Sequence, residues 1–292
     1  MIKLMNDKKV ILLFILPALF IFVSLVIIPI FMSVYYSMLE WDGIGKSVFV
    51  GFLNYFNLNN NEFYKSISNS LILAFLSVFV QLPIAFFIAL LLSKGVKGEG
   101  IYRSLYFIPV IVSTVVIGQM WLKIYNPQFG LLNNLLIKFG FNYLAQEWLG
   151  NTETALFSVF IPLIWQYVGY HLLLFYAAIK SVSKDILEAA KIDGANFWQE
   201  TFYIIIPNVV YIIEVCVILA IIGSLKTFDL IYILTNGGPL HATEVPSTIM
   251  FNTIFHRMNY GFGSSMAVFI VFECLVITVL IKTVFKKFNT IE

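Results

Sequence analysis

Ser181–Pro207 reads SVSKDILEAAKIDGANFWQETFYIIIP, a polar interruption between two long apolar runs. Ser183 stands where a helix can be capped, and Asp185 falls in its first turn, where the positive end of the helix dipole favours an acid. Ile186, Ala189 and Ala190 recur at helical spacing, with Glu188 and Lys191 beside them. Gly194 then ends the helix, because a left-handed cap suits glycine best. Asn196 can start a second helix, whose face carries Phe197, Trp198 and Phe202 before the chain turns apolar at Ile204. The stretch predicts a short helix, a tight turn and a second helix lying across a membrane surface. Paired alanines let another protein approach the backbone closely, and Glu188 and Asp193 offer acceptors to its basic groups.

The flanking sequence is too apolar for a soluble domain. Of the 292 residues 60% are hydrophobic and 12% charged, where a soluble domain carries about 25% charged residues. Aromatic residues make up 17%, with 29 Phe, which suits lipid contact and interfacial belts. A spanning helix needs about 20 mostly apolar residues, and six stretches qualify: 10–39, 67–93, 104–124, 155–180, 203–226 and 264–285. Pro17, Pro29, Pro83, Pro109 and Pro162 interrupt them. Such breaks are tolerated where neighbouring helices satisfy the freed backbone groups. The expectation is therefore an all-α polytopic membrane helix bundle. Residues 1–40 supply the first transmembrane helix, and 67–286 form a core of five, with the loop 181–207 inside it. Lys3, Lys8 and Lys9 ahead of the first run imitate a secretory signal. That run is longer than a signal core of about 7–15 residues and lacks a small-x-small cleavage site, so it reads as an uncleaved span.

Basic residues set the orientation. With the N-terminus inside, Lys3, Lys8, Lys9, Lys94, Lys97 and Arg103 fall on the inner side, as do Lys180, Lys184, Lys191, Lys282, Lys286 and Lys287. The outer side holds Lys46, Lys65, Lys123, Lys138, Lys226 and Arg257. The bias places both termini in the cytoplasm and makes 181–202 the only sizeable cytoplasmic loop.

Glu188-Ala189-Ala190, three residues, Gly194, nine residues and Ile204-x-Ile206-Pro207 resemble the EAA signature of binding-protein-dependent ABC importer permeases. Ile206 stands where that pattern usually has leucine. Three further segments resemble the sugar-type group of the same family: YRSLYFIPVIVSTVVIGQMWLKIYNPQFGLLNN from Tyr102, FDLIYILTNGGP from Phe228, and Tyr260–Ala267 at the start of the last span. The resemblance implies a type I ABC importer permease fold in a bacterial inner membrane. It also implies that Glu188, Ala189, Ala190, Asp193, Gly194 and Pro207 form a coupling helix docking on an ATP-hydrolysing subunit. The implied partners are a dimer of cytoplasmic ATPase subunits, a second and related permease, and an extracellular solute-binding protein delivering a sugar or related solute. No nucleic acid is implied.

The chain encodes no chemistry of its own. Gly45-Lys46-Ser47 lacks the leading glycine of a phosphate loop and follows an apolar span, so it carries no nucleotide role. His171, His241 and His256 lie far apart with no metal spacing, and each reads as a satisfied or solvated histidine. Cys216 and Cys274 read as small buried hydrophobes. No catalytic residue, metal or cofactor is expected. Two acids lie inside spans, Glu214 and Glu273. Either lines a polar translocation cavity or makes a structural hydrogen bond, since an ionised acid in lipid costs about 2.5–3.5 kcal/mol or more. Gln166 and Tyr170, in the Trp165–His171 cluster, are further cavity candidates: aromatic faces with polar rims suit sugars, although interfacial belts are also aromatic. The rival readings are a secondary transporter, which would show inverted repeats and an ion site, and an integral-membrane enzyme, for which the charged residues are too few.

Overall fold

The computed structural model describes residues 8–289, and burial within it is described for 12–286. Lys3 lies outside the described residues, and so do the side chains of Lys8, Lys9 and Lys287. Helix dominates. Among the described residues, five helices are long and apolar enough to cross a membrane: Leu12–Tyr36, Asn61–Ser93, Ala155–Ser181, Phe197–Leu234 and Tyr260–Lys286. A bent pair, Glu99–Ile111 and Thr114–Ile124, whose axes differ by 95°, brings the number to six if counted as one span, and is called the third span here. The second and fifth spans start earlier than their apolar runs, at Asn61 and Phe197. Helix geometry continues into polar ends that hydrophobicity cannot see. The break in the third span follows Pro109, as residues 112 and 113 go extended with ψ of 138° and 132°.

Prolines shape the other spans differently. Val23–Ile27, Ser77–Gln81 and Glu200–Ile205 are π-helical, and Pro29, Pro83 and Pro207 each follow two residues later. A proline has no N–H to donate and its ring crowds the carbonyl four residues back. Widening the preceding turn accommodates both defects while the helix continues.

The chain divides into two compact units. One comprises the residues up to Asn60 with Met250–Phe272. In it a two-stranded hairpin, Leu39–Glu40 against Val48–Phe49, follows the first span. The Asp42 carboxylate closes its turn by accepting the N–H groups of Ile44 and Gly45 at 3.0 and 2.7 Å, which hold the carboxyl below its usual range. Trp41 accepts from Tyr260 N at 3.0 Å, tying the hairpin to the start of the last span.

The other unit, Asn61–Ile249 with the chain from Glu273, holds the second to fifth spans. The second and fourth spans meet through Ala85 and Ala89, both fully buried, against Leu172 and Phe175. Small residues at a helix interface let the backbones close up where lipid supplies no hydrophobic drive. Val209, Cys216 and Ala220 of the fifth span complete this cluster. A second cluster, around Ile117, Val159 and Ile231, fills the opposite end of the unit. The fourth span touches the third at Gly169, where an added Cβ would lie 1.9 Å from Tyr106 O. Gly169→Ala should therefore cost about 1–3 kcal/mol by overpacking, seen as a lower thermal midpoint in detergent. Gly223→Ala, with nothing within 4 Å of its added Cβ, should leave that midpoint unchanged.

Candidate functional site: a surface helix pair and a polar cavity

The 181–207 stretch folds as its residues require. The first helix runs Lys184–Ile192 with Asp185 in its first turn. Ser183 occupies the capping position but its side chain makes no cap hydrogen bond, contrary to the expectation from sequence. The helix ends on Gly194 at φ 78°. Ala195 N donates to Ala190 O at 2.9 Å and Gly194 N to Lys191 O at 3.1 Å, the paired bonds of a Schellman ending. Asn196 caps the second helix. Its side chain accepts from Gln199 N at 2.9 Å, and Asn196 N in turn donates to Gln199 Oε1 at 2.8 Å.

This pair has an inner and an outer face. Ala190 is buried, and Leu187 and Phe197 pack against the cluster that joins the second, fourth and fifth spans. Glu188, Ala189, Asp193 and Gly194 are exposed, as is Pro207 at the start of the fifth span's apolar run. The two alanines are thus divided in use, one seating the helix and the other offered outward. Ile192, 87% exposed, adds an apolar knob to the outward face. Lys94, in the turn after the second span, lies over the Phe197 ring at 4.0 Å. Nearby, the Tyr176 hydroxyl donates to Glu99 at 2.7 Å and Arg103 lies over the Tyr176 ring at 4.5 Å, binding the start of the third span to the end of the fourth.

Deeper in the same unit, the second to fifth spans enclose a cavity of about 400 Å³. Gln166, Tyr170, Tyr167 and His171 line it from the fourth span, and Gln81 and Ser77 from the second. Thr114 lines it directly beyond the break in the third span, so the extended backbone stands beside a cavity. Irregular backbone at membrane depth is tolerated in such a place. Gln81 Nε2 and His171 Nδ1 are 3.0 Å apart, and the Ser77 and Ser224 hydroxyls 2.9 Å. Gln166 Oε1 and His171 Nε2 are buried with no hydrogen-bond partner among the described residues. Unsatisfied buried polar atoms cost free energy, and a hydroxylated guest would satisfy them. Tyr167, Tyr170 and Phe228 supply aromatic surface beside these polar groups.

Of the four residues singled out for a cavity, the structure brings Gln166 and Tyr170 together. Glu214 borders a separate groove of about 520 Å³ with Tyr211, Lys282 and Lys286. Glu273 is half-buried on the last span, lines neither space, and keeps Oε2 without a partner. Sequence reasoning missed Gln81 and Thr114. Gln81 carried a signal, a lone amide within an apolar run, of the kind that flagged Glu214. It also missed a cluster at the other end of the unit, where Glu62, His241 and Glu244 converge.

Residues 47–290 match the family described as binding-protein-dependent transport system inner membrane component. The chain is 34% identical over 288 residues to a probable ABC transporter permease protein, YurN, of Bacillus subtilis (strain 168), covering 97% of this chain and 98% of that protein. It is 32% identical over 266 residues to the trehalose/maltose transport system permease protein MalF of Thermococcus litoralis, covering 90% and 89%. Among solved structures, it superposes with a TM-score of 0.82 on a chain of a bacterial alginate ABC transporter in complex with an alginate pentasaccharide-bound periplasmic protein. That match has 22% identity and covers 96% of this chain and 94% of the other, which establishes the fold.

Gln81→Leu tests the polar seam. It would leave the buried imidazole of His171 with only the Tyr167 carbonyl at 3.2 Å. We expect a loss of about 1–3 kcal/mol, read as a lower thermal midpoint in detergent.

Proposed function

The chain belongs to the family of binding-protein-dependent transport system inner membrane components, permease subunits of ATP-binding-cassette importers, and on that premise we propose that it carries a sugar or related solute inward. The observation that carries this reading is the two-faced helix pair. Leu187 and Phe197 seat it on the core of the second, fourth and fifth spans, while Glu188, Ala189 and Ile192 stay free for a partner. A separate cytoplasmic ATPase dimer docks there, through Glu188, Ala189, Asp193 and Gly194, and hydrolyses the ATP. Ala190 and Pro207 hold the helix pair in place. Both termini then face the cytoplasm, a placement that the basic-residue bias supports.

A second, related permease completes the path, since the polar cavity is walled by only part of this chain. An extracellular binding protein delivers the solute; the alginate transporter, whose structure includes a periplasmic protein holding an oligosaccharide, supports this. The sugar class rests on the relative named for trehalose and maltose transport and on the cavity itself. Tyr167 and Tyr170 offer ring faces to the apolar faces of a sugar, while Gln166, His171 and Gln81 offer partners to its hydroxyls. Transport alternates access to this cavity as ATP binding draws the ATPases together. The motion enters through the helix pair, because that is the element with both an exposed face and a seat in the core.

Two measurements test this. A tagged chain expressed in its host should co-purify with an ATPase subunit, and Ala189→Trp should reduce that recovery at least about tenfold, a coupling change of about 1.4 kcal/mol, without changing the chain's own abundance. Equal recovery would refute docking at this face. Tyr170→Ala should lower uptake of the delivered solute by about the same factor and leave ATPase recovery intact, whereas Glu214→Gln, in its separate groove, should lower uptake less.

A further inference from the structure

One cluster of ligand-type side chains is unused by the cavity and the helix pair. Glu62 lies in the first turn of the second span, and His241 and Glu244 lie in the loop after the fifth span. Each brings one ligand atom within 4.8 Å of the others. His241 Nδ1 stands 3.5 Å from Glu62 Oε1 and 3.5 Å from Glu244 Oε1. His241 Nδ1 thus stands within ion-pair distance of both carboxylates, yet farther from each than the about 2.7–2.9 Å of a short charge-assisted hydrogen bond. Nitrogen and oxygen ligands about 2.0–2.2 Å from a tetrahedral ion stand roughly 3.4 Å apart along each edge. The two distances from His241 match that edge, and all three ligand atoms lie within 4.8 Å of one another.

The loop is fastened so as to hold this arrangement. Leu240 and His241 both take left-handed backbone, at φ 48° and 61°, which is uncommon for side chains of that size. Asn69, on the second span, donates from Nδ2 to Ala242 O at 3.0 Å and to Glu244 O at 2.8 Å. Thr243 Oγ1 donates to Gly238 O at 2.8 Å. The Thr248 hydroxyl donates to Glu244 Oε2, leaving Oε1 to face His241. Gly237 contributes by having no side chain, since a Cβ there would fall 2.4 Å from the Glu244 carboxyl carbon. The Glu244 side chain is only 6% exposed, and a buried carboxylate needs a paired or ligating partner. An anion so placed is stabilised by a cation. His241, by contrast, is 54% exposed, which leaves an ion here an open side toward solvent.

We propose that Glu62 Oε1, His241 Nδ1 and Glu244 Oε1 bind one divalent transition-metal ion of the zinc class, with a solvent-accessible fourth position. One imidazole and two carboxylates suit zinc and its neighbours in the first transition row. The ion links the start of the second span to the 236–245 loop, at the end of the unit opposite the Lys184–Ile192 helix. The assignment stands independently of the transport reading, because it uses none of the cavity or the helix pair.

The test uses the full-length chain in detergent, with any polyhistidine tag removed and bound metal stripped by a chelator. Titration with Co²⁺ should saturate at one equivalent with the intense visible absorption of a tetrahedral site, and Zn²⁺ should displace it. Zn²⁺ should also raise the thermal midpoint, as binding to the folded state alone requires. His241→Ala, at an exposed position, and Glu62→Gln should each weaken Zn²⁺ binding at least about tenfold, as loss of one ligand in three implies. Absence of stoichiometric binding, or binding unchanged in both variants, would overturn the assignment.

Discussion

A backbone N–H or C=O left without a partner in hydrocarbon costs several kcal/mol, and this constraint decides where the chain departs from regular helix. Three prolines are accommodated by π-helical turns that keep the ladder running, at Val23–Ile27, Ser77–Gln81 and Glu200–Ile205. The third span does not do this. It opens at residues 112 and 113 and turns by 95°, and the residues flanking the opening, Val110 and Thr114, line the polar cavity. An outright break thus falls where polar surroundings can receive the freed backbone groups. The same constraint accounts for the seam of Ser77, Gln81, His171 and Ser224, each buried and each bonded to a neighbour across the spans.

What was legible in the sequence follows from how local each signal is. The helix at 184–192, its glycine ending and the Asn196 start of the next helix are set by contacts within a few residues, and all appear where the residue types put them. Ser183 is the exception. A serine at the capping position is necessary for a side-chain cap, but rotamer choice decides whether it forms. Span positions were legible from apolarity, except at their polar ends and at the bend in the third span, because hydropathy reports the surroundings of a residue rather than the path of its backbone.

The cavity was legible only in part. Gln166 and Tyr170 stood out as a polar and aromatic group in an apolar helix, and they do line it. Glu214 and Glu273 stood out for the same reason, yet one borders a different groove and the other borders neither. The cost of a charge in lipid says that an acid needs a polar neighbour and does not say which one. Gln81 and Thr114 enter the cavity through helix rotation and through the break, both products of tertiary packing. The Glu62–His241–Glu244 cluster was invisible for a simpler reason: its members come from two distant segments, and no spacing rule joins them.

The two ends of the larger unit are held by different chemistry, and this bears on how it can move. At the helix-pair end, Leu187 and Phe197 rest on an apolar cluster that includes Ile205 and Phe175, with the Lys94–Phe197 and Arg103–Tyr176 contacts around it. Apolar and cation–π contacts are weakly directional, so helices can shift against one another by small amounts without losing them. At the far end, Asn69, Thr243, Glu244 and Thr248 make directional hydrogen bonds in buried surroundings, where a partly broken network costs more than an apolar contact. If the helix pair receives the push proposed above, its own end would yield by sliding while the far end would resist. The cavity lies between the two, bounded by the jointed third span, so a displacement at one end with the other held fixed must change the shape of the space in the middle.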